Sequence, residues 1–169
     1  MFWFTSDQHF NHTNIIDLTK RPFKTIEEMN NTIVTRHNER VKENDTVFVL
    51  GDFKFGKGTN AHEYQKMMNG KLVFIRGNHD KNNGVNTIME HALIKSFGLR
   101  ILLIHRPIDI AEVRDPFDLA LVGHVHHHWK FSKNNFNQTM INVGVDVWDF
   151  YPVHLKQILK AYKMWQEEP

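Results

Sequence analysis

The chain has no cysteine. Disulfide staples and thiolate metal sites are therefore excluded, and a reducing compartment is compatible. It also lacks a surplus of either charge. A formal net charge of +2 at pH 7 is too near balance to point to nucleic acid or an anionic membrane as partner. Long apolar runs are missing too, and the apolar opening Met1–Phe4 is short and has no basic leader. Neither a signal peptide nor a membrane span is expected, and a cytoplasmic setting is. There is no repeat, low-complexity tract or linker. With 169 residues, 41% of them hydrophobic, the chain suits one domain over residues 1–169 with a sizeable core.

What the chain has in quantity is histidine, twelve in all. His37, His62, His91 and His154 lie in helical or loop contexts and read as ordinary core or surface residues. The others fall in short groups with Asp or Asn: His9 and His12, His79, His105, and the run from His124 to His128.

Strand-like and helix-like segments alternate. Short runs rich in Val, Ile, Leu and Phe occur at Phe2–Thr5, Thr46–Leu50, Lys71–Ile75, Arg100–Ile104 and Asp118–Val122. Further strands are expected at Leu93–Phe97, Trp129–Ser132 and Thr139–Val145. Thr25 and Glu28 form a capping box ahead of Ile26, Met29, Ile33, His37 and Val41, which share one helical face. A second helix is expected from Thr59 to Met68. Pro152 is expected to open the last one, with Leu155, Ile158, Leu159 and Tyr162 on one side. The pattern predicts α/β layers.

The chemistry falls at strand ends. Phe2–Thr5 runs into Ser6-Asp7-Gln8-His9, and Thr46–Leu50 into Gly51-Asp52. Lys71–Ile75 runs into Arg76-Gly77-Asn78-His79-Asp80, Arg100–Ile104 into His105, and Asp118–Val122 into Gly123-His124-Val125-His126. In open α/β sheets ligands bind beyond the carboxyl ends of the strands, so parallel neighbours would bring all these groups to one crevice. Asp7, Asp52, Asn78, His9, His105, His124 and His126 offer oxygen and nitrogen donors without sulfur. That set suits Mn, Fe, Co, Ni or Zn, and is too rich in histidine for a Ca or Mg cage. Seven donors are too many for one such ion and natural for two that share a carboxylate. Two divalent ions with two carboxylates leave a charge of about +2, suited to a phosphate ester and a hydroxide.

Taken in order, Asp7-x-His9, Gly51-Asp52, Gly77-Asn78-His79-Asp80, a lone His105 and Gly123-His124-x-His126 resemble the serial signature of the calcineurin-like metallophosphoesterases. The resemblance implies a four-layer αββα sandwich, two mixed β-sheets flanked by helices. It implies two divalent transition-metal ions, manganese favoured: one on Asp7, His9, Asp52 and His126, the other on Asp52, Asn78, His105 and His124, with Asp52 bridging. It also implies that His79 serves the leaving oxygen, with Asp80 orienting its imidazole. The chain departs from larger members after Gly51-Asp52, where Phe53-Lys54-Phe55-Gly56-Lys57 lacks their second acid and arginine. It resembles the small branch, whose members act on small phosphate esters or diesters.

His12, Arg76, Arg106 and His127 are candidate substrate contacts, each weighed against a plain surface role. Asp146 is a candidate partner for a ligating imidazole, weighed against a turn or edge-strand role. The expected activity is hydrolysis of a phosphomonoester or phosphodiester, a small nucleotide-like compound. A metal-dependent nuclease is the alternative, disfavoured by the near-neutral charge. A non-catalytic interaction scaffold on the same fold is a third reading, against which all seven donors and His79 are present.

Overall fold

In β2 (Thr46–Leu50), Val47 and Val49 face one way and Phe48 and Leu50 the other, and all four are buried. Successive strand residues point to opposite faces, so a run that is apolar throughout must be covered on both sides. β2 pairs in parallel with β1 (Phe2–Thr5) and β3 (Lys71–Ile75), and β1 pairs antiparallel with β9 (Val153–His154), giving a sheet of order β3-β2-β1-β9. The second sheet has the order β4-β5-β6-β8-β7. It contains β4 (His91–Ser96), β5 (Leu99–Ile104), β6 (Leu119–Val122), β7 (Phe131–Lys133) and β8 (Thr139–Asn142). β5, β6 and β8 run parallel, and β4 and β7 close the edges antiparallel, so both sheets are mixed. The computed structural model describes residues 1–167.

Three apolar layers follow from this alternation. Phe4, Phe48, Leu50 and Ile75 of the first sheet meet Ile101, Leu103, Leu121 and Ile141 of the second in the core between them. Trp3, Val47 and Val49 turn outward against α2 (Ile26–Arg40) and α3 (Ala61–Met67). Leu102, Ile104, Ala120 and Val122 turn outward on the other side, under the 3-10 helix Pro107–Glu112. Each large side chain taken from water this way contributes about 1.5–3 kcal/mol.

The two mixed sheets with flanking helices expected from the resemblance are present, with some refinements. α2 is capped as predicted: Thr25 Oγ1 accepts from the Glu28 N–H at 3.1 Å. The Glu28 carboxylate reaches the N–H of Lys24 at 2.8 Å, one residue before the cap. α3 begins two residues later than Thr59, because Asn60 caps the Glu63 N–H. Pro152 does not open the last helix. Val153, fully buried, pairs with Phe4 in β9, and α4 (Leu155–Glu167) starts after it. α4 then packs Leu155, Ile158, Leu159 and Tyr162 against the core between the sheets, as their spacing predicts. The short α1 (Ile15–Leu18) was not anticipated. Among the described residues no helix is long and apolar enough to cross a membrane.

Candidate metal centre

Because β1, β2 and β3 are parallel, their carboxyl ends deliver Asp7, His9, Asp52 and Asn78 to the same rim of the first sheet. β5 and β6 do the same for His105, His124 and His126 on the second. The rims are stitched together by Asp7, whose two carboxylate oxygens accept from the His124 N–H at 3.1 and 2.9 Å. Two donor clusters result, Asp7 with His9 and His126, and Asp52 with His105 and His124. Within each, the donor atoms lie within 4.8 Å of one another. Asn78 joins the second cluster, its Oδ1 lying 3.0 Å from Nε2 of His105.

The backbone is strained at this rim. Asp7 (φ 60°), His9 (52°), Asp52 (52°), His124 (70°) and His126 (48°) all occupy the left-handed region. That conformation costs a non-glycine residue about 1–2 kcal/mol, and such outliers concentrate where the surroundings hold a functional group in place. Two glycines allow the close approach. A Cβ on Gly77 would overlap Asp52 Oδ1, and one on Gly123 would overlap Ser6 Oγ.

Three buried or half-buried imidazoles have Nδ1 engaged, leaving Nε2 for a cation. Nδ1 of His105 meets the Leu50 carbonyl at 2.7 Å, Nδ1 of His126 meets Asp146 at 3.1 Å, and Nδ1 of His9 meets Nδ1 of His12 at 3.1 Å. Tying one ring nitrogen fixes the tautomer and aims the other, as metal-ligating histidines require. Among the described residues, Nε2 of His9 is buried and has no hydrogen-bond partner. A buried, orphaned nitrogen beside carboxylates is what a bound cation would satisfy, so the donor set fits divalent transition metals.

The electrostatics agree. Burial pushes the Asp7 carboxyl up, despite the opposing charges of His105 and His126. Burial pushes the His9 imidazole down to about 2. For His105, burial works against protonation, but its hydrogen bond to Asp52 and the charges of Asp7 and Asp52 carry it up to about 9. Burial would also raise Asp52, yet the hydrogen bond and charge of His105 and the His79 N–H hold it well below the usual carboxylate range. Such mutual shifts mark a set of groups held close against their own solvation.

His79 is half-buried beside both clusters. Its N–H donates to Asp52 Oδ1 at 2.9 Å, and its ring packs edge-on against Phe55 and His9. The expectation that Asp80 orients this imidazole is corrected by the structure. Asp80 is fully buried, and its carboxylate accepts from the main-chain N–H groups of Gly77, Asp52 and Phe53 at 2.7, 3.0 and 3.0 Å. One of these N–H groups comes from its own turn and two from the loop after β2, so Asp80 ties the two loops together.

His12 is brought to the site, against His9 and Phe55. His127 is exposed and packs at a tilt against His128, outside both donor clusters. Arg76 and Arg106 reach a cleft beside the second cluster, engaged with Glu90 and Asp109 respectively. Asp146 accepts from Nδ1 of His126 and from Arg21. Sequence reasoning missed Arg21, which lies in no motif and reaches the site only through the fold. It also missed Asn142, whose amide donates to the carbonyls of His126 and Trp129 at 2.7 and 2.9 Å and pins the His124–His128 loop.

The chain is similar in sequence and in fold to known proteins. The chain is 38% identical over 161 residues to an uncharacterized protein of Methanocaldococcus jannaschii, covering 92% of this chain and 87% of that one. It is 26% identical over 181 residues to the gene 66 protein of Mycobacterium phage L5, covering 86% of each. A solved structure of a protein of unknown function from Aquifex aeolicus superposes with a TM-score of 0.73 at 28% identity, covering 95% of this chain and 98% of that one. Residues 2–149 match the model of the calcineurin-like phosphoesterase superfamily domain. With that match running through most of its length, the chain belongs to the calcineurin-like phosphoesterase superfamily.

Proposed function

We propose that the chain hydrolyses a phosphomonoester or phosphodiester, a small nucleotide-like compound, at a centre of two divalent transition-metal ions. Family membership and the two donor clusters support a metal-dependent phosphoesterase in general. The observation that carries the binuclear reading is Asp52. Its Oδ2 lies 3.5 Å from Nε2 of His9 and 3.3 Å from Nε2 of His105, so one carboxylate oxygen faces both clusters. One ion would be held by Asp7, His9, Asp52 and His126, the other by Asp52, Asn78, His105 and His124. The mixed oxygen and nitrogen donors suit Mn, Fe, Co, Ni or Zn, and manganese is simply the first to try. Ions of this kind supply Lewis-acid charge to a phosphoryl oxygen and acidify water.

The chain's own residues supply placement. His79 is anchored through its N–H to Asp52 and is assigned to protonate the leaving oxygen. His9, His105 and His126 are aimed by partners on Nδ1, so little reorganisation accompanies binding. The assembly of all seven donors with His79 favours catalysis over a scaffold role. A single domain over residues 1–169, at work in the cytoplasm, belongs to the same reading.

The test is Asp52→Asn, with metal content and hydrolysis of nitrophenyl phosphate measured together. The variant should lose more metal than His124→Ala, because both ions depend on Asp52, and it should lose turnover. Two metals per chain at wild-type affinity in Asp52→Asn would remove the bridging assignment.

A further inference from the structure

Beside the second donor cluster lies a cleft of about 420 Å³ that shares Asn78 and His105 with it. That volume sits toward the small end of the about 300–1,000 Å³ typical of small-molecule sites. Arg76, at the end of β3, and Glu90, just before β4, form one wall. The other wall comes from the 3-10 helix Pro107–Glu112. With three residues per turn, positions three apart lie one above the other, so Arg106, Asp109 and Glu112 stack on one face toward the cleft.

The charge and hydrogen-bond capacity of this lining select a ligand. Arg76 and Arg106 bring two positive charges, and Glu90, Asp109 and Glu112 bring three negative ones. The guanidiniums are largely engaged already. Arg106 forks onto Asp109 through Nε and Nη2 at 2.8 and 2.5 Å. Arg76 donates to the Thr87 carbonyl through Nε and Nη2 at 3.2 and 2.7 Å. Glu90 lies at the limit of reach from Arg76, at 3.5 Å. Among the described residues the Glu112 side chain has no hydrogen bond or ion pair, and it is exposed.

Acceptor capacity therefore exceeds donor capacity, while some guanidinium N–H groups stay free. A second phosphate group would meet a net negative wall. A polynucleotide backbone would be repelled for the same reason. A quaternary ammonium would meet two guanidiniums, and no Phe, Tyr or Trp lines the cleft to cage it. Hydroxyl groups both donate and accept, and suit such a wall.

We propose that this cleft is the subsite for the non-reacting part of the substrate, and that it takes an uncharged, hydroxyl-rich group, a sugar or the ribose of a nucleotide. The proposal rests on the phosphoester reading above. Asn78 and His105 place the hydroxyl-rich group directly against the metal-facing end of the cleft, and Glu112, unpaired among the described residues, is the specificity-determining acceptor.

The test compares binding and turnover. Non-hydrolysable probes are the methylene phosphonate analogue of ribose 5-phosphate and benzylphosphonate, titrated calorimetrically into the manganese-loaded protein. The sugar phosphonate should bind about tenfold tighter than benzylphosphonate, the factor that one hydrogen bond to a charged group supplies. Glu112→Ala should cut that preference about fivefold or more. Equal affinity for benzylphosphonate, or a preference that Glu112→Ala leaves intact, would each overturn the assignment. Ribose 5-phosphate and phenyl phosphate are assayed for hydrolysis in parallel. Absence of turnover on both, with the binding preference retained, would sink the phosphoesterase reading and leave the subsite standing.

Discussion

Arg21 and Asp146 meet fork to fork across 125 residues of chain, with Nε and Nη2 donating to the two carboxylate oxygens at 2.8 and 2.9 Å. The Nη2-bound oxygen of Asp146 also accepts from Nδ1 of His126, so guanidinium, carboxylate and imidazole form one row ending at the first donor cluster. Arg21 also donates to the carbonyls of Asp7 and Gln8, which fixes the strained loop after β1. Arg21→Ala would strand a buried carboxylate, and a loss of about 3–5 kcal/mol is expected in urea denaturation. Asp146→Asn keeps the shape and removes the charge behind His126. It should weaken metal binding by about 10–100-fold, read by metal titration, with a smaller effect on stability. Wild-type metal affinity in Asp146→Asn would mean that His126 needs no such partner.

Asp80 predicts a different outcome from the residues around it. Asp80→Ala leaves three buried N–H groups unpaired, each at about 1–3 kcal/mol, so a loss of about 3 kcal/mol or more is expected. Asp80→Asn should fall between Asp80→Ala and wild type. If Asp80→Ala stays within about 0.5 kcal/mol of wild type yet abolishes turnover, its role is chemical and the main-chain tie is secondary.

His79 separates chemistry from metal binding. His79→Asn should keep both metals and slow alkyl phosphate esters by about 10²–10⁴-fold, the usual effect of losing a positioned acid. Nitrophenyl esters leave readily without a proton and should be slowed far less. Loss of metal in this variant, or equal slowing of both esters, would reassign His79 to ligation or phosphate binding.

His37 sets a pH dependence away from the site. It is buried on the inner face of α2, and its Nε2 meets the Asn69 carbonyl at 2.9 Å. Burial lowers its pKa below 6.5, with the carbonyl partly opposing that. The folded state thus holds His37 neutral while the unfolded chain takes up a proton below that pH. Its contribution to stability is present above pH 6.5 and is lost as the pH falls. The stability gap between wild type and His37→Gln should narrow below pH 6 by up to about 1.4 kcal/mol per pH unit, measured by denaturant titration. A gap that stays constant from pH 7 to 5 would place the titration elsewhere.

How far the site was legible depends on what each residue does. Asp7, His9, Asp52, Asn78, His105, His124 and His126 are legible as one donor set because metal chemistry restricts residue type and each lies within a few residues of the end of an apolar run. Asp80 was assigned to the wrong neighbour. Adjacency in Asn78-His79-Asp80 suggests an imidazole partner, but in a tight turn the nearest donors are main-chain N–H groups, which no residue pattern marks. Pro152 misled for a similar reason. It suits the first turn of a helix, yet the next two residues are drawn into β9 by burial of Val153 against β1.

The sequence by itself determined the two-sided burial of the strands, the identity and order of the donors, and hence the family. These rest on local composition and period, which a linear reading carries. Only the tertiary structure decided that Asp52 faces both clusters, that Arg21 stands behind Asp146 and His126, and that Arg106, Asp109 and Glu112 face Arg76 and Glu90 across one cleft. Those relationships join residues far apart in the chain through the packing of two sheets. Their energies come from distance and burial, quantities that exist only once the chain has folded.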